Sequence, residues 1–290
     1  KKVSDKPKIF GADLDNTCIG SYFVDAFWQM PRINELSIEE LIRYCKSNNI
    51  EVIIPTRDGE LEFFAYYKST LSDNEIAVMV SEPSTVEACL DKLKFAELES
   101  IQDVVIPASI EIEKLHSEKF VVKERYGAGS LSIGLNLDAM AAKSHAASLT
   151  NPIFQPFERG YEITVDAYIT KNKEVKGLVM RKRVKVVNGE SQVTTSFENA
   201  SLQKRFIAFL NKSDFYGHIA LQAIIDDADN VHLIECNPRF GGASTLSIHA
   251  GLDTFYWFYL EAMGTDISSY PFLPATKPVM QVRYFNDTYL

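Results

Sequence analysis

His218-Ile219-Ala220-Leu221-Gln222-Ala223-Ile224-Ile225-Asp226, the turn Asp227–Asn230, and Val231-His232-Leu233-Ile234-Glu235-Cys236-Asn237-Pro238-Arg239-Phe240-Gly241-Gly242 form the stretch that decides the fold. Two β-branched, apolar runs flank a polar four-residue turn, which is the pattern of an antiparallel hairpin. With Asp226 opposite Val231, the pairing carries Gln222 onto Glu235. Glu235 and Asn237 are two apart and share a face. The same register puts Val231 and Leu233 on that face, with Ala220 and Ile224 beside Gln222. An apolar face then ends in a carboxylate and two amides. Hard oxygen ligands carrying one formal charge suit a Mg²⁺ that keeps waters and takes its other ligands from phosphate. On the hairpin alone, a polar trio satisfied by loop backbone is an equal alternative.

Just past these residues stand Arg239 and the diglycine 241–242. An arginine offers a fixed fork of donors for a phosphate or acyl-phosphate oxygen, although a lone arginine more often makes a surface ion pair. Upstream, Val121-Val122-Lys123-Glu124-Arg125-Tyr126-Gly127-Ala128-Gly129-Ser130 sets a lysine at the end of a strand, before a glycine turn. Backbone N–H groups of such a turn can close on phosphate oxygens, with the lysine as a point charge. The turn lacks the Gly-Lys-Ser/Thr ending of a P-loop and the complete glycine fingerprint of a dinucleotide site.

The first 90 residues alternate strand and helix. Ile9–Ala12 reads as a short buried strand. Ser37-Ile38-Glu39-Glu40 is a capping box that opens a helix, which Asn48-Asn49 stops; Ile50–Ile54 is the next buried strand. Pro55-Thr56-Arg57-Asp58-Gly59-Glu60 follows at its carboxyl end, where ligands bind in open α/β sheets. Ser84-Thr85-Val86-Glu87 is a second capping box. From about residue 120 the pattern changes to long strands and hairpins: Ser132–Leu135, Tyr161–Thr170 and Val175–Val187, with Arg181, Arg183 and Lys185 on one face of the last. Helices are expected at Leu202–Leu210 and at Thr245–Met263, the latter capped by Ser244. The histidines His218, His232 and His249 show neither nucleophile nor metal spacing.

Composition narrows the function classes. The chain has 290 residues, 46% hydrophobic and 24% charged, with a net charge of −9. That is ordinary globular composition, with no electrostatic footprint for nucleic acid or an anionic membrane. No apolar run reaches the ~18–20 residues of a membrane span. The four cysteines, Cys18, Cys45, Cys89 and Cys236, form no CxxC pair, so neither a disulfide framework nor a zinc site is expected. With no signal peptide expected either, a cytoplasmic setting is the default.

These residues together resemble the ATP-grasp superfamily, and most nearly its carbamoyl-phosphate-synthase large-subunit-like branch. The resemblance rests on Asp91-Lys92, Lys123 with the 125–130 loop, Gln155-Pro156-Phe157 with Glu162, Gln222, and Glu235 through Arg239, in that order. Gly11-Ala12-Asp13, Pro31-Arg32 and the 55–60 segment are similar to the pre-grasp domain of small stand-alone members. The implied fold class is α/β, α+β overall. A truncated Rossmann-like pre-ATP-grasp domain spans 1–83, its first β-α unit apparently missing. A small subdomain with the lid follows at 84–155, and a C-terminal subdomain with the Mg-ATP site at 156–290.

The resemblance also implies roles. Lys92 and Lys123 contact ATP phosphates, and Tyr126, Gly127, Ala128, Gly129 and Ser130 fold over them as a lid. Gln155, Pro156 and Phe157 form the hinge that reads adenine, and Glu162 accepts the ribose hydroxyls. Gln222, Glu235 and Asn237 bind Mg²⁺, as one or two ions with Mn²⁺ as a substitute. Lys123 and Arg239 are catalytic, with Arg239 on the transferred phosphoryl group. Arg181, Arg183, Asp58 and Glu60 are the candidate substrate contacts.

The expected reaction is ATP-dependent carboxylate–amine ligation through an acyl phosphate, acting on small molecules. Nucleic acid and membrane are not expected partners, and the aromatic stretch 254–260 leaves a homodimer open. The rivals are a carbamoyl-phosphate-synthase-related enzyme proper and an ATP-binding module without turnover.

Overall fold

The computed structural model describes residues 7–98, 104–127, 132–187 and 189–289. Strands β1 (Phe10–Asp13) and β2 (Ala26–Gln29) pair in parallel, with Phe10 opposite Ala26. Helix α1 (Ile38–Ser47) starts at the expected cap: Ser37 Oγ accepts the Glu40 N–H at 3.1 Å. Ile38, Leu41 and Cys45 bury its apolar side. The chain leaves the helix through Asn48 and a left-handed Asn49 at φ 54°. Strand β3 (Val52–Ile53) is shorter than the apolar run Ile50–Ile54. It pairs in parallel with β4 (Ala77–Val78), across α2 (Asp58–Tyr66) and α3 (Lys68–Asp73). The two parallel pairs are separate sheets. A cavity of about 1280 Å³ lies between them, lined by Gly11, Phe27 and Trp28 on one side and Ile50, Val52 and Ile53 on the other.

Helix α4 (Pro83–Leu90) starts before the expected Ser84. Glu82 holds the extended cap position, and Pro83 takes the first turn, where its missing N–H costs nothing. In α5 (Lys92–Ala96) the cap is Asp91, whose carboxylate accepts the N–H groups of Leu93 and Lys94 at 3.0 and 3.5 Å.

A small antiparallel sheet follows in the order β6-β5-β7, from β5 (Phe120–Glu124), β6 (Gly134–Leu137) and β7 (Pro152–Pro156), with α6 (Ala139–Ala146) against it. The expected strand at Ser132 begins two residues later, because Ser132 is left-handed at φ 55°. Phe120, Val122, Ala142 and Phe154 form the local core, so the alternation turns Val121 and Lys123 to the opposite face.

The large sheet runs β12-β11-β8-β9-β10-β13. Its strands are β8 (Tyr161–Ile169), β9 (Val175–Val187), β10 (Glu190–Phe197), β11 (Gly217–Ile225), β12 (Val231–Asn237) and β13 (Met280–Val282), all paired antiparallel. One face packs Ile163, Val165, Ala167, Leu221 and Ala223 against Phe206 and Leu210 of α7 (Ala200–Leu210) and against Cys89 and Phe95. Each Ile, Val, Leu or Phe among them contributes roughly 1.5–3 kcal/mol of burial. The outer edge of β12 is covered by segment 104–106, where the Ile106 N–H donates to Leu233 O at 3.0 Å. The opposite face is covered at one end by α8 (Ser244–His249) and α9 (Thr254–Ala262), through Tyr168, Val179, Leu246, Trp257 and Phe258.

Three expectations need correction. The single helix Thr245–Met263 is two helices, broken between His249 and Thr254. Gly251 sits there at φ 105°, and a Cβ on it would lie 2.1 Å from Leu273 O; the close approach of a second backbone forces the break. Ser244 lies inside α8 and spends its hydroxyl elsewhere. The basic stripe is also not uniform: Arg181 is buried and Lys185 exposed, because irregularities at Ser191/Val193 and Val193/Thr194 interrupt the alternation against β10.

The third correction concerns the deciding hairpin. Ile225, not Asp226, faces Val231, yet Gln222 still faces Glu235. A bulge between these pairs, with Ile234 the extra residue, shifts the register. It also reverses the alternation. Val231, Leu233 and Cys236 enter the core, while Glu235 and Asn237 stand on the opposite face. They do not share a face with Val231 and Leu233 as the unbroken pattern implied. Without the bulge Gln222 would meet Ile234, and Glu235 would point into the core.

Candidate functional site

Beyond the end covered by α8 and α9, the second face of the large sheet carries Glu162, Thr164, Gln222, Glu235 and Asn237. Register aligns Gln222 with Thr164 on one side and Glu235 on the other, and Thr164 with Arg181. Asn237 Nδ2 donates to Glu235 Oε1 at 3.4 Å, so the amide and the carboxylate are neighbours. Gln222, Glu235 and Asn237 together carry one formal charge. Among the described residues no cluster of three His, Cys, Asp or Glu side chains is placed to hold a metal.

Two lysines from outside the large sheet meet this face. Lys123 of β5 is 5% exposed, and its ammonium makes no hydrogen bond or ion pair among the described residues. Burial pulls its ammonium down to about 8; the charge of Lys92 adds to the depression, while Glu235 and Glu162 oppose it. Lys92, at the first position of α5, is also lowered by burial, against the support of Glu235 and Asp58. Its Nζ donates to Gly127 O at 2.7 Å and Arg125 O at 3.4 Å, at the base of the glycine loop. Lys123 and Lys92 are therefore each within electrostatic reach of Glu235. A buried lysine without a counter-ion is a poised anion site.

Asp91 fixes the base of the loop. It takes the Arg125 guanidinium at both oxygens, with Nε at 2.7 Å to Oδ1 and Nη2 on Oδ2, and Tyr126 Oη reaches Oδ2 at 3.5 Å. Arg125 hydrogen bonds hold the Asp91 carboxyl below its usual range, against the opposing effect of burial. Gly127 adopts φ 93° with open space where a Cβ would go. Ala128, Gly129 and Ser130 of the expected lid lie outside the described residues. At the expected hinge, Gln155 is buried with Nε2 on Ile106 O at 3.1 Å, and Phe157 N–H donates to Lys119 O at 2.9 Å. Pro156 closes β7, half-buried.

Of the expected substrate contacts, each has a partner in the protein. Arg181 is buried against Asp166, Nε to Oδ2 at 2.8 Å. Arg183 donates to Glu162 Oε1 at 2.6 Å, Ser191 Oγ at 3.0 Å and Gly189 O at 2.6 Å. Glu60 caps its own helix, its Oε1 accepting the N–H groups of Thr56 and Arg57 at 2.7 and 3.0 Å. Asp58 grips Arg239 at both oxygens, with Nε to Oδ1 at 2.6 Å and Nη2 to Oδ2.

Several residues escaped the sequence reading. Asp166 is fully buried and gathers Arg181, Ser244 Oγ at 3.0 Å and Ser247 Oγ at 2.5 Å. His218 Nε2 meets Ser244 Oγ at 3.2 Å, its ring stacked on Phe240 with centroids 4.0 Å apart. Despite burial, Arg181 and His218 hold the Asp166 carboxyl far below its ordinary value. Gly241 N–H donates to Ser244 Oγ at 2.9 Å, so the network fixes the turn that follows Arg239. On its other side, a Cβ at Gly242 would come 3.3 Å from Arg283 Nη1. Asp166 lies in the expected strand Tyr161–Thr170, but its partners are 15 to 81 residues away.

Residues 149–288 match the family model described as ATP-grasp in the biosynthetic pathway with Ter operon, and residues 1–79 match the PylC-like N-terminal domain. The resemblance to the ATP-grasp superfamily is thus borne out over residues 149–288. No curated protein matches it. Among solved structures, it superposes on the biotin carboxylase domain of Hydrogenobacter thermophilus 2-oxoglutarate carboxylase, in complex with MgADP, ADP and bicarbonate. That match has a TM-score of 0.73 at 14% identity and covers 94% of this chain and 68% of that one. Staphylococcus aureus N5-carboxyaminoimidazole synthetase with ADP gives 0.72 at 16%, covering 96% and 76%. Campylobacter jejuni biotin carboxylase gives 0.71 at 14%, covering 94% and 69%. These likenesses establish the fold. Among the described residues, no helix is long and apolar enough to cross a membrane.

Proposed function

We propose that the protein is an ATP-dependent ligase that joins a small carboxylate to an amine through an acyl phosphate. The observation that carries this reading is that buried Lys123, whose ammonium has no partner among the described residues, and neighbouring Lys92 both lie within electrostatic reach of Glu235. The donors fit Mg-ATP: Glu235, Asn237 and Gln222 would hold the metal, and the lysines would hold phosphate oxygens. Mg²⁺ bound there supplies neutralisation of the charge on the β- and γ-phosphates. The 155–157 hinge and Glu162 would take adenine and ribose, as the resemblance implies.

In the first step a substrate carboxylate oxygen attacks the γ-phosphorus, the bond to the bridging oxygen breaks, and ADP leaves. Lys123 and Lys92 hold the phosphates while Arg239 meets the charge on the transferring group. In the second step the amine nitrogen attacks the acyl carbon, inorganic phosphate leaves, and the amine loses a proton. A water-poor cleft protects the acyl phosphate from hydrolysis. The Hydrogenobacter thermophilus biotin carboxylase domain is bound to MgADP and bicarbonate, and the Staphylococcus aureus N5-carboxyaminoimidazole synthetase to ADP, which supports an adenine nucleotide as the ligand here.

The test is calorimetric titration with Mg²⁺-AMPPNP, then ADP release with ATP, Mg²⁺ and a panel of carboxylates and amines, with bicarbonate plus ammonia as the carbamoyl control. Nucleotide binding and ADP release that requires one carboxylate–amine pair are expected. No nucleotide binding overturns the proposal. Binding with no carboxylate-dependent ADP reduces the protein to a nucleotide-binding module.

A further inference from the structure

Arg239 is nearly saturated. A guanidinium has five N–H donors. Nε and Nη2 donate to Asp58, Nη1 to Phe240 O at 2.9 Å, and Nη2 also reaches Asn237 Oδ1 at 3.4 Å. The Asp58 pair spans 181 residues of sequence and joins the N-terminal domain to the loop behind the candidate metal ligands. Both ends are built on rigid supports. Asp58 opens α2, whose first turn is held by Glu60 and whose Leu61, Phe64 and Ala65 are buried. The Arg239 turn is pinned through Gly241 and Ser244 to Asp166. The Asp58 side chain is 28% exposed and that of Arg239 16%, so the pair is open to solvent rather than sealed in a dry core.

We infer that Asp58 competes with the γ-phosphoryl group for Arg239, and so is a specificity-determining residue that sets the discrimination between nucleoside triphosphate and diphosphate. This rests on reading the cleft as the ATP site. A phosphoryl oxygen gains the Nε/Nη2 edge of Arg239 only by displacing the Asp58 carboxylate, because the other edge is taken by Phe240 O. Displacement does not strand the carboxylate. It sits at the N-terminus of α2, where the helix dipole favours a negative charge, and within electrostatic reach of the Lys92 ammonium. A diphosphate has no γ-group and leaves the pair intact. The exchange therefore acts on triphosphate affinity and spares diphosphate affinity.

The experiment measures Kd for Mg²⁺-AMPPNP and Mg²⁺-ADP on the full chain: unchanged, Asp58→Asn, Arg239→Gln and the double variant. With the competitor removed, Asp58→Asn is expected to tighten AMPPNP about tenfold, roughly 1.4 kcal/mol, and to change ADP less than twofold. In the Arg239→Gln background the same substitution is expected to give no gain. Asp58→Ser keeps a residue suited to a helix start, and replaces Asn if that variant unfolds at a lower temperature. Equal tightening of both nucleotides overturns the inference in favour of simple charge repulsion. Weaker AMPPNP binding overturns it in favour of Asp58 as a metal ligand or structural prop. If the unchanged protein binds neither nucleotide, the ATP-site reading falls and the inference with it; binding of both with no effect of Asp58→Asn removes the inference alone.

Discussion

Two groups of polar side chains meet on the same face of the large sheet. In one, Asp166, Arg181, His218, Ser244 and Ser247 are all 4% exposed or less, and each is hydrogen-bonded to another member. In the other, Lys123 is 5% exposed, yet its ammonium has no ion pair or hydrogen bond among the described residues. Its neighbours Lys92 and Glu235 act on it only through their fields. Burying a charge is costly unless it is paired. The first group meets that condition internally and fixes a turn. The second leaves it unmet, which is tolerable where a bound anion and cation complete the set. The comparison separates residues that position from residues that bind.

The largest expected effect comes from breaking the paired group. Asp166→Asn leaves the Arg181 guanidinium buried without a counter-charge, and is expected to destabilise the fold by about 3–5 kcal/mol, read from urea unfolding. If the loss is under about 1 kcal/mol, the group is not structural. Linkage gives a second check. The folded Asp166 carboxyl titrates below its unfolded value, so its contribution is present above about pH 4 and is lost on acidification. The variant should unfold with a flatter dependence on acid pH.

Lys123→Met should do the reverse. Mg²⁺-AMPPNP affinity is expected to fall at least ~100-fold, about 2.7 kcal/mol, while resistance to urea is unchanged or higher because a desolvated charge is gone. A loss of both would erase the distinction between the two groups. Glu235→Gln is expected to weaken the Mg²⁺ dependence of nucleotide binding by roughly tenfold, about 1.4 kcal/mol. It should also lower the Lys123 pKa further, since Glu235 is a charge that supports its protonated form.

The smallest effect is graded with pH. Phosphate needs the protonated Lys123, whose folded value lies near 8. Nucleotide affinity should therefore decline as pH rises through about 8, by no more than about tenfold per unit, and Lys123→Met should remove the slope. Stability runs the other way. The unfolded lysine holds its proton to higher pH, so the cost of burying the charge is relieved as pH rises from about 8 towards the unfolded value near 10.4. A pH-independent affinity up to pH 9 would show that the lysine is not a phosphate ligand.

Much of this protein was legible in its sequence. Ser37 at its cap, the strand Val175–Val187 and the facing pair Gln222–Glu235 follow from local patterns, because caps, alternation and hairpin turns are short-range effects. What failed had a distant cause. The helix break at Gly251 is imposed by Leu273 backbone, and the face of Glu235 by the bulge at Ile234. The register error in the expected hairpin and the unforeseen bulge offset each other at Gln222, so the correct pair was reached from an incorrect starting pair.

By itself, the sequence determined which chemical groups are available and in what order: a lysine ending a strand, a glycine turn, an acid and amides on a hairpin, an arginine and a diglycine. Such features depend on residue type and near neighbours. Only the tertiary structure decided which charges are neutralised. Asp166 finds Arg181 and two serines, Arg239 finds Asp58, and Lys123 finds no ion pair or hydrogen bond among the described residues. Pairing depends on distance and burial between segments far apart in the chain, and no local pattern encodes either.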